Sequence, residues 1–167
     1  MLSRMWSVTS ALMLAGLMAW IWAYPKLFAG QEIHQIFSWS ALLTGYDFMD
    51  TYVRWAAGAV ALAAIVMLLI GRTRLLGGYI AAGLSLFYVV LHATPWLGAA
   101  IPAHDVLVNG LQMGHSPEQI LAAARPDDVP IIMTLLSGIL AGLVIVAELG
   151  RRNEAKAPGR IATVVLN

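Results

Sequence analysis

The chain has no cysteine. That excludes disulfides, thiol nucleophiles, thiolate metal sites and iron–sulfur ligation by its own residues. Charge is scarce as well: Asp, Glu, Lys and Arg make up 11% of the sequence, roughly half the share in a soluble domain. Residues 5–25, 55–71 and 129–147 contain none of the four, and residues 75–97 hold a single histidine, His92, in their place. There is no Walker loop, no HExxH and no GxSxG, and neither an internal repeat nor a low-complexity segment. No charge falls at mid-membrane depth. A proton pump, an ion-coupled transporter or a channel ordinarily needs such a charge or an inverted repeat, and a soluble-type active site is not expected either.

What the chain has instead is apolar length. Hydrophobic residues reach 60%, more than a soluble domain of this size carries. At about 1.5 Å per residue, roughly 20 apolar residues cross a bilayer core about 30 Å thick. Four spans are therefore predicted, at residues 5–25, 54–71, 75–97 and 129–148, the second at the short end of that range. The expected fold class is an all-α integral membrane four-helix bundle in one transmembrane domain, residues 1–150, followed by a cytoplasmic tail, 151–167. The first span outlasts a secretory h-region. It runs into Trp22-Ala23-Tyr24-Pro25-Lys26 rather than a small-residue cleavage site, and so reads as a retained helix. Trp6, Trp20, Trp22, Tyr24, Tyr52, Trp55, Tyr88 and Trp96 mostly lie near span ends, where amphipathic rings favour the headgroup layer.

The basic residues set the expected orientation. Arg4, Arg72, Arg74, Arg151, Arg152, Lys156 and Arg160 flank one set of span ends, while only Lys26, Arg54 and Arg125 lie in the other two connections. The positive-inside rule places the larger set in the cytoplasm, with both termini. Seven bases against two acids give that side a net +5; three bases against seven acids give the outer side −4. The expected location is a bacterial inner membrane, and the expected contacts are lipid and other membrane subunits rather than nucleic acid.

The two outer loops, 26–53 and 98–128, are too patterned to be linkers. Ile33, Ile36, Phe37, Trp39 and Leu43 recur at roughly helical spacing among Glu32, His34, Gln35 and Ser38, which predicts a short amphipathic helix on the membrane surface or over the bundle. Thr44-Gly45-Tyr46-Asp47 reads as a turn. A brief helix is predicted over residues 105–111. Ser116-Pro117-Glu118-Gln119 is a helix start, with a serine cap, a proline in the first turn and a glutamine that completes a capping box. Asp127 and Asp128 cap the fourth span, with Pro130 tolerated in its first turn.

Small residues mark where helices can touch, within the bundle or against another subunit: Gly138 with Gly142, Gly78 with Ala82, and Ala15 with Ala19. Asp50 and Arg54, one turn apart, are expected to pair, as are Glu148 and Arg151 with Arg152. All four histidines fall on the outer side. His34, His104 and His115, with Met113, Asp105, Asp47 and Asp50 nearby, supply ligand types for copper, zinc or haem iron, although no two histidines share a metal-binding spacing. His92 follows Tyr88 and precedes Trp96 near the outer end of an apolar helix, and ionisable groups in such places are often functional. A quinone head group held by His92, Tyr88 and Trp96 is one reading; a histidine satisfied by water or a carbonyl at headgroup depth is the plainer one.

Tyr24-Pro25-Lys26-Leu27-Phe28 closing the first span, and Gly58 to Leu69 leading into Ile70-Gly71-Arg72-Thr73-Arg74-Leu75, resemble the DoxX/DoxD-type family of small four-helix membrane proteins. The resemblance covers roughly the first three spans and implies thiosulfate:quinone oxidoreduction or a membrane redox role. The chain departs from that pattern where Trp55-Ala56-Ala57-Gly58 replaces the acid often found at the start of the second span, and in its long second outer loop. Three functions are then expected in turn. The first is a non-catalytic subunit of a respiratory or photosynthetic complex, docked through its outer loops and tail, with quinone or haem supplied through a partner. The second is a DoxX-like quinone-linked redox protein, and the third an outer-face metal-binding protein.

Overall fold

The computed structural model describes residues 2–28, 33–98 and 101–156. Among them every regular element is helical. Four helical stretches, Arg4–Leu27, Met49–Leu69, Arg74–His92 and Val129–Ala155, are long and apolar enough to cross a membrane, the mark of an integral membrane protein.

Their ends differ from the sequence expectation in instructive ways. The first stretch does not stop at Pro25. Helix α1 (Leu2–Met18) passes through a π-helical turn, Ala19–Ala23, into a short α2 (Tyr24–Leu27) with Pro25 in its first turn, where a missing N–H costs little. The second stretch begins earlier than expected. A π-helical turn, Met49–Val53, precedes α4 (Arg54–Leu69) and supplies the length that residues 54–71 lacked. The third, α5 (Arg74–His92), ends before Thr94-Pro95 because the residue preceding a proline is driven out of the helical region. The fourth, α8 (Val129–Lys156), overruns residue 148, and carries Glu148, Arg151 and Arg152 on successive turns at spacings that support a helix in water. Residues 157–167, the rest of the expected tail, lie outside the described residues, as does Glu32.

Helix α8 packs on α1 and α5, and α4 packs on the same two helices. The small residues divide into those that meet a neighbour and those that do not. A Cβ on Gly78 would stand 3.2 Å from Ile145 Cγ1, and one on Gly138 3.4 Å from Ser85 Cβ. Ala82 packs against the main core, and Ala15 is buried in it. Among the described residues Gly142 has nothing within 4 Å of where its Cβ would be, and Ala19 is exposed. The tightest approach of a glycine to another helix's backbone, among the described residues, lies at a position the small-residue pattern does not single out. A Cβ on Gly77 would come within 2.8 Å of Leu68 N and 2.9 Å of Ala64 O, so α4 and α5 touch backbone to backbone there.

The two connections opposite the arginines fold into a cap with its own apolar core. Helix α3 (Gln35–Thr44) ends at Gly45, whose φ of 72° provides the left-handed cap. It buries Phe37 and Trp39, so it is covered rather than laid on a surface. Helix α6 is His104–Gln112 and α7 is Pro117–Ala123, with the expected capping box complete: Gln119 N–H donates to Ser116 Oγ, and Ser116 N–H to Gln119 Oε1 at 2.8 Å. Trp39, Leu91, Leu97, Ile101, Leu107 and Ile120 close the core beneath these helices. Asp127 N–H to Ile101 O (2.8 Å) and Trp39 Nε1–H to Leu97 O (3.1 Å) tie the cap together.

Candidate functional site: a buried lysine between aromatic rings

Where the cap meets α1 and α8 there is a cavity of about 460 Å³. Trp20, Trp22, Lys26, His34, Tyr88 and Met133 are among its lining residues, and exposed Trp20 and Val129 stand at its edge. Lys26 is the unexpected member. The sequence reading treated it as a loop cation, yet it is 5% exposed. Its ammonium lies 5.0 Å from the Trp22 ring centroid, 5.7 Å from Tyr88 and 6.0 Å from Phe37, distances at which the negative ring faces attract a cation. Its one hydrogen bond among the described residues goes to Ile21 O at 3.3 Å, the carbonyl four residues before Pro25, which proline cannot serve. No carboxylate among the described residues pairs with it. A lysine amine buried this way is expensive to keep charged.

His34 and Tyr88 complete the polar lining. The His34 N–H donates to Ser38 Oγ (2.8 Å), whose hydroxyl donates to Asp50 Oδ2 (2.6 Å), and Asp50 pairs with Arg54 at 3.3 Å as expected. This chain fixes the His34 backbone and leaves the ring free to line the cavity. Burial, reinforced by the charges of Lys26 and Arg54, lowers the His34 pKa to about 3, so the imidazole is neutral near pH 7. Its Nδ1 has no hydrogen-bond partner among the described residues, and neither has the fully buried Tyr88 Oη. The tyrosine ring is wedged edge-on against Trp22 (4.5 Å between centroids) and Phe37 (6.0 Å), so its hydroxyl direction is fixed by packing. Trp22 is itself anchored by Nε1–H to Ser137 Oγ on α8 at 3.2 Å. Gln35 Nε2 donates to both Pro102 O (2.9 Å) and Asp127 Oδ2 (2.8 Å), which clamps the connection after the first span onto the one before the fourth at the cavity wall.

The other singled-out residues are distributed differently. Tyr88 lines this cavity, but His92 and Trp96 are not among its lining residues. His92 Nδ1 meets Tyr88 O at 2.8 Å, and its Nε2 is buried without a partner among the described residues. Trp96 lines a separate apolar cavity of about 270 Å³ with Phe37, Phe87 and Leu91. His104 joins His34 at the main cavity and contacts Ile33 O at 3.1 Å. His115 and Met113 are exposed at the α6–α7 connection. Among the described residues no three His, Cys, Asp or Glu side chains gather closely enough to hold a metal ion. Lys26 did leave one signal in the sequence. It is a lone basic residue, directly after Trp20-Ile21-Trp22-Ala23-Tyr24-Pro25, at the end of a span on the side poor in basic residues.

The opposite end holds a buried carboxylate. Glu148, 0% exposed, accepts hydrogen bonds from Ser7 Oγ (2.6 Å) and Arg151, with Arg152 Nε 3.6 Å away. Arg74 Nη1 donates to the same Ser7 Oγ at 3.1 Å. In comparison with known proteins, no family model matches the chain, and no curated protein or solved structure matches it.

Proposed function

We propose that this is a small membrane subunit that binds a quinone, with the head group in the Lys26–His34–Tyr88 cavity and the isoprenoid chain running out past Trp20 and Val129 into lipid. One observation carries the reading. Lys26, His34 and Tyr88, three buried residues with polar side chains, line one cavity walled by aromatic rings, and His34 Nδ1 and Tyr88 Oη lack any partner among the described residues. Buried polar groups are almost always paired, so a cluster left this way fits a ligand rather than a solvent-free core. An ammonium and a phenol are donors, and a quinone carbonyl is an acceptor. The flat walls of Trp22 and Tyr88 suit a planar ring. When bound, a quinone would supply two-electron redox chemistry; the residues themselves bind and orient it and keep water out. The resemblance to DoxX/DoxD-type proteins points the same way, and its Tyr24–Phe28 segment contains Lys26. The proposed site is centred on Lys26 and His34 with Tyr88, and does not use His92 or Trp96, which are not among the residues that line it.

By the positive-inside rule the arginine end faces the cytoplasm, with both termini, and the quinone cavity sits at the outer leaflet of a bacterial inner membrane. A role as accessory subunit of an electron-transfer complex is compatible with this. It is favoured by Gly142, where a Cβ would meet nothing within 4 Å among the described residues, while its neighbours Ile139, Leu143 and Val146 are exposed on α8. Recovery of a larger, coloured assembly on a native gel after mild solubilisation supports that role, and a lone colourless 18.0 kDa species counts against it.

Binding itself is tested by equilibrium dialysis of a short-chain ubiquinone against the purified, detergent-solubilised chain. Saturable one-to-one binding, weakened at least about tenfold by Lys26→Met through loss of one charge-assisted hydrogen bond, is the expected result. Partitioning that does not saturate, or affinity unchanged in Lys26→Met, removes the proposal.

A further inference from the structure

The arginine end carries a second site. Arg4, Arg72, Arg74, Arg151 and Arg152 line one open depression of about 1150 Å³, together with Val8, Ile70, Gly71, Glu154 and Ala155. Five guanidinium groups against one lining carboxylate leave it at +4, and counting buried Glu148 beneath it leaves +3. Like charges are not gathered at such density without something to neutralise them.

Several of these arginines are held in place. Arg74 Nε donates to Leu68 O (3.0 Å) at the end of α4, and Nη1 donates to Ser7 Oγ (3.1 Å) on α1. Arg152 Nη2 donates to Arg72 O (3.3 Å) in the α4–α5 turn, and Arg151 is fixed by Glu148. Glu148 thus orients the cluster from below, and its one negative charge cannot balance it. The depression lies at the ends of the membrane-length helices α4, α5 and α8, beside the start of α1. Its wall includes the exposed apolar side chains of Ile70 and Val8.

We infer that this depression is a binding site for an anionic phospholipid. The phosphate is gripped by Arg4, Arg72, Arg74 and Arg152, and the glycerol and first acyl carbons lie on Ile70 and Val8. Guanidinium groups match phosphate oxygens with paired, directional hydrogen bonds. Basic pockets between transmembrane helices at a negatively charged leaflet are where such headgroups collect. The apolar wall selects the lipid over free phosphate, which has nothing to place there.

The test is native mass spectrometry of the full chain in a non-ionic detergent, titrated with phosphatidylglycerol, with phosphatidylcholine, or with phosphatidylglycerol in the presence of millimolar inorganic phosphate. The wild type is expected to retain one phosphatidylglycerol, to discriminate against phosphatidylcholine, and to keep the lipid in phosphate. Arg4→Gln/Arg72→Gln is the variant of choice because both side chains are exposed and neither donates to Glu148 among the described residues. Its Kd for phosphatidylglycerol should rise about 30-fold, with a thermal midpoint in lipid-free detergent like that of the wild type. Equal retention of the two lipids, displacement by inorganic phosphate, or an unchanged Kd in the double variant would each overturn the assignment.

Discussion

Lys26 and Glu148 are both almost completely buried, at opposite ends of one small protein, and their surroundings are opposites. Glu148 is met by a serine hydroxyl and two arginines, all supplied by α1 and α8. Lys26 is met by one carbonyl and three aromatic faces. Burying a charge demands compensation. At the arginine end the described chain provides it in full, so Glu148 is a structural keystone and the excess positive charge is turned outward. At the loop end the described chain provides only part of it, and the remainder is what the proposed quinone would supply.

The largest expected effect comes from removing the satisfied charge. Glu148→Ala takes away the carboxylate that accepts from Ser7 and Arg151 and pairs with Arg152. The arginines are partly exposed and can turn to water, so the cost is set at about 3 kcal/mol, read as a lower thermal midpoint in detergent. A midpoint within a degree of wild type would mean the two ends are not different in kind. Lys26→Met should have the opposite sign. With the isolated ammonium gone, the ligand-free fold is expected to gain about 2 kcal/mol while quinone binding is lost. If both variants destabilise alike, Lys26 is structural, and the comparison collapses.

His34 sharpens the loop end by pH. Its folded pKa, about 3, lies below its ordinary 6.5. Between those values the unfolded chain binds a proton that the folded chain refuses, so stability falls as pH falls through that window and is constant above it. The loss between pH 6.5 and 4.5 should be about 2 kcal/mol, measured by denaturant unfolding. His34→Gln should flatten that slope, and a slope that survives the substitution assigns the proton elsewhere. The smallest effect is that of Tyr88→Phe. Deleting a buried hydroxyl that has no partner should leave the ligand-free protein unchanged or about 1 kcal/mol more stable, yet weaken quinone binding several-fold. A clear loss of stability instead would reveal a partner for Tyr88 Oη that the described residues do not include.

Periodicity and local chemistry carried most of the fold. The four apolar stretches, the Ser116–Gln119 capping box, the Asp50–Arg54 pair and the Glu148–Arg151 pair depend on residues within four positions of each other or on uninterrupted composition, and such signals survive in one dimension. The π-helical turns at Ala19–Ala23 and Met49–Val53 were not legible, because they follow from how helix ends adjust to packing rather than from any residue preference. The quinone reading named Tyr88 but paired it with its helix neighbours His92 and Trp96. Those spacings are four residues, the natural unit of a helix face, yet packing gave Tyr88 to Trp22, Phe37 and Lys26 from distant stretches of chain.

The sequence by itself determined that this is an all-helical protein with four stretches able to span a membrane and arginine gathered at one end, because hydrophobic length and charge distribution are properties of the chain alone. Which buried charge is compensated, and therefore which end the quinone proposal rests on, was decided only by tertiary structure. Ser7 reaches Glu148 across 141 residues of sequence, and Tyr88 meets Lys26 from another helix. The balance between desolvation and pairing depends on distances in space that no local pattern encodes.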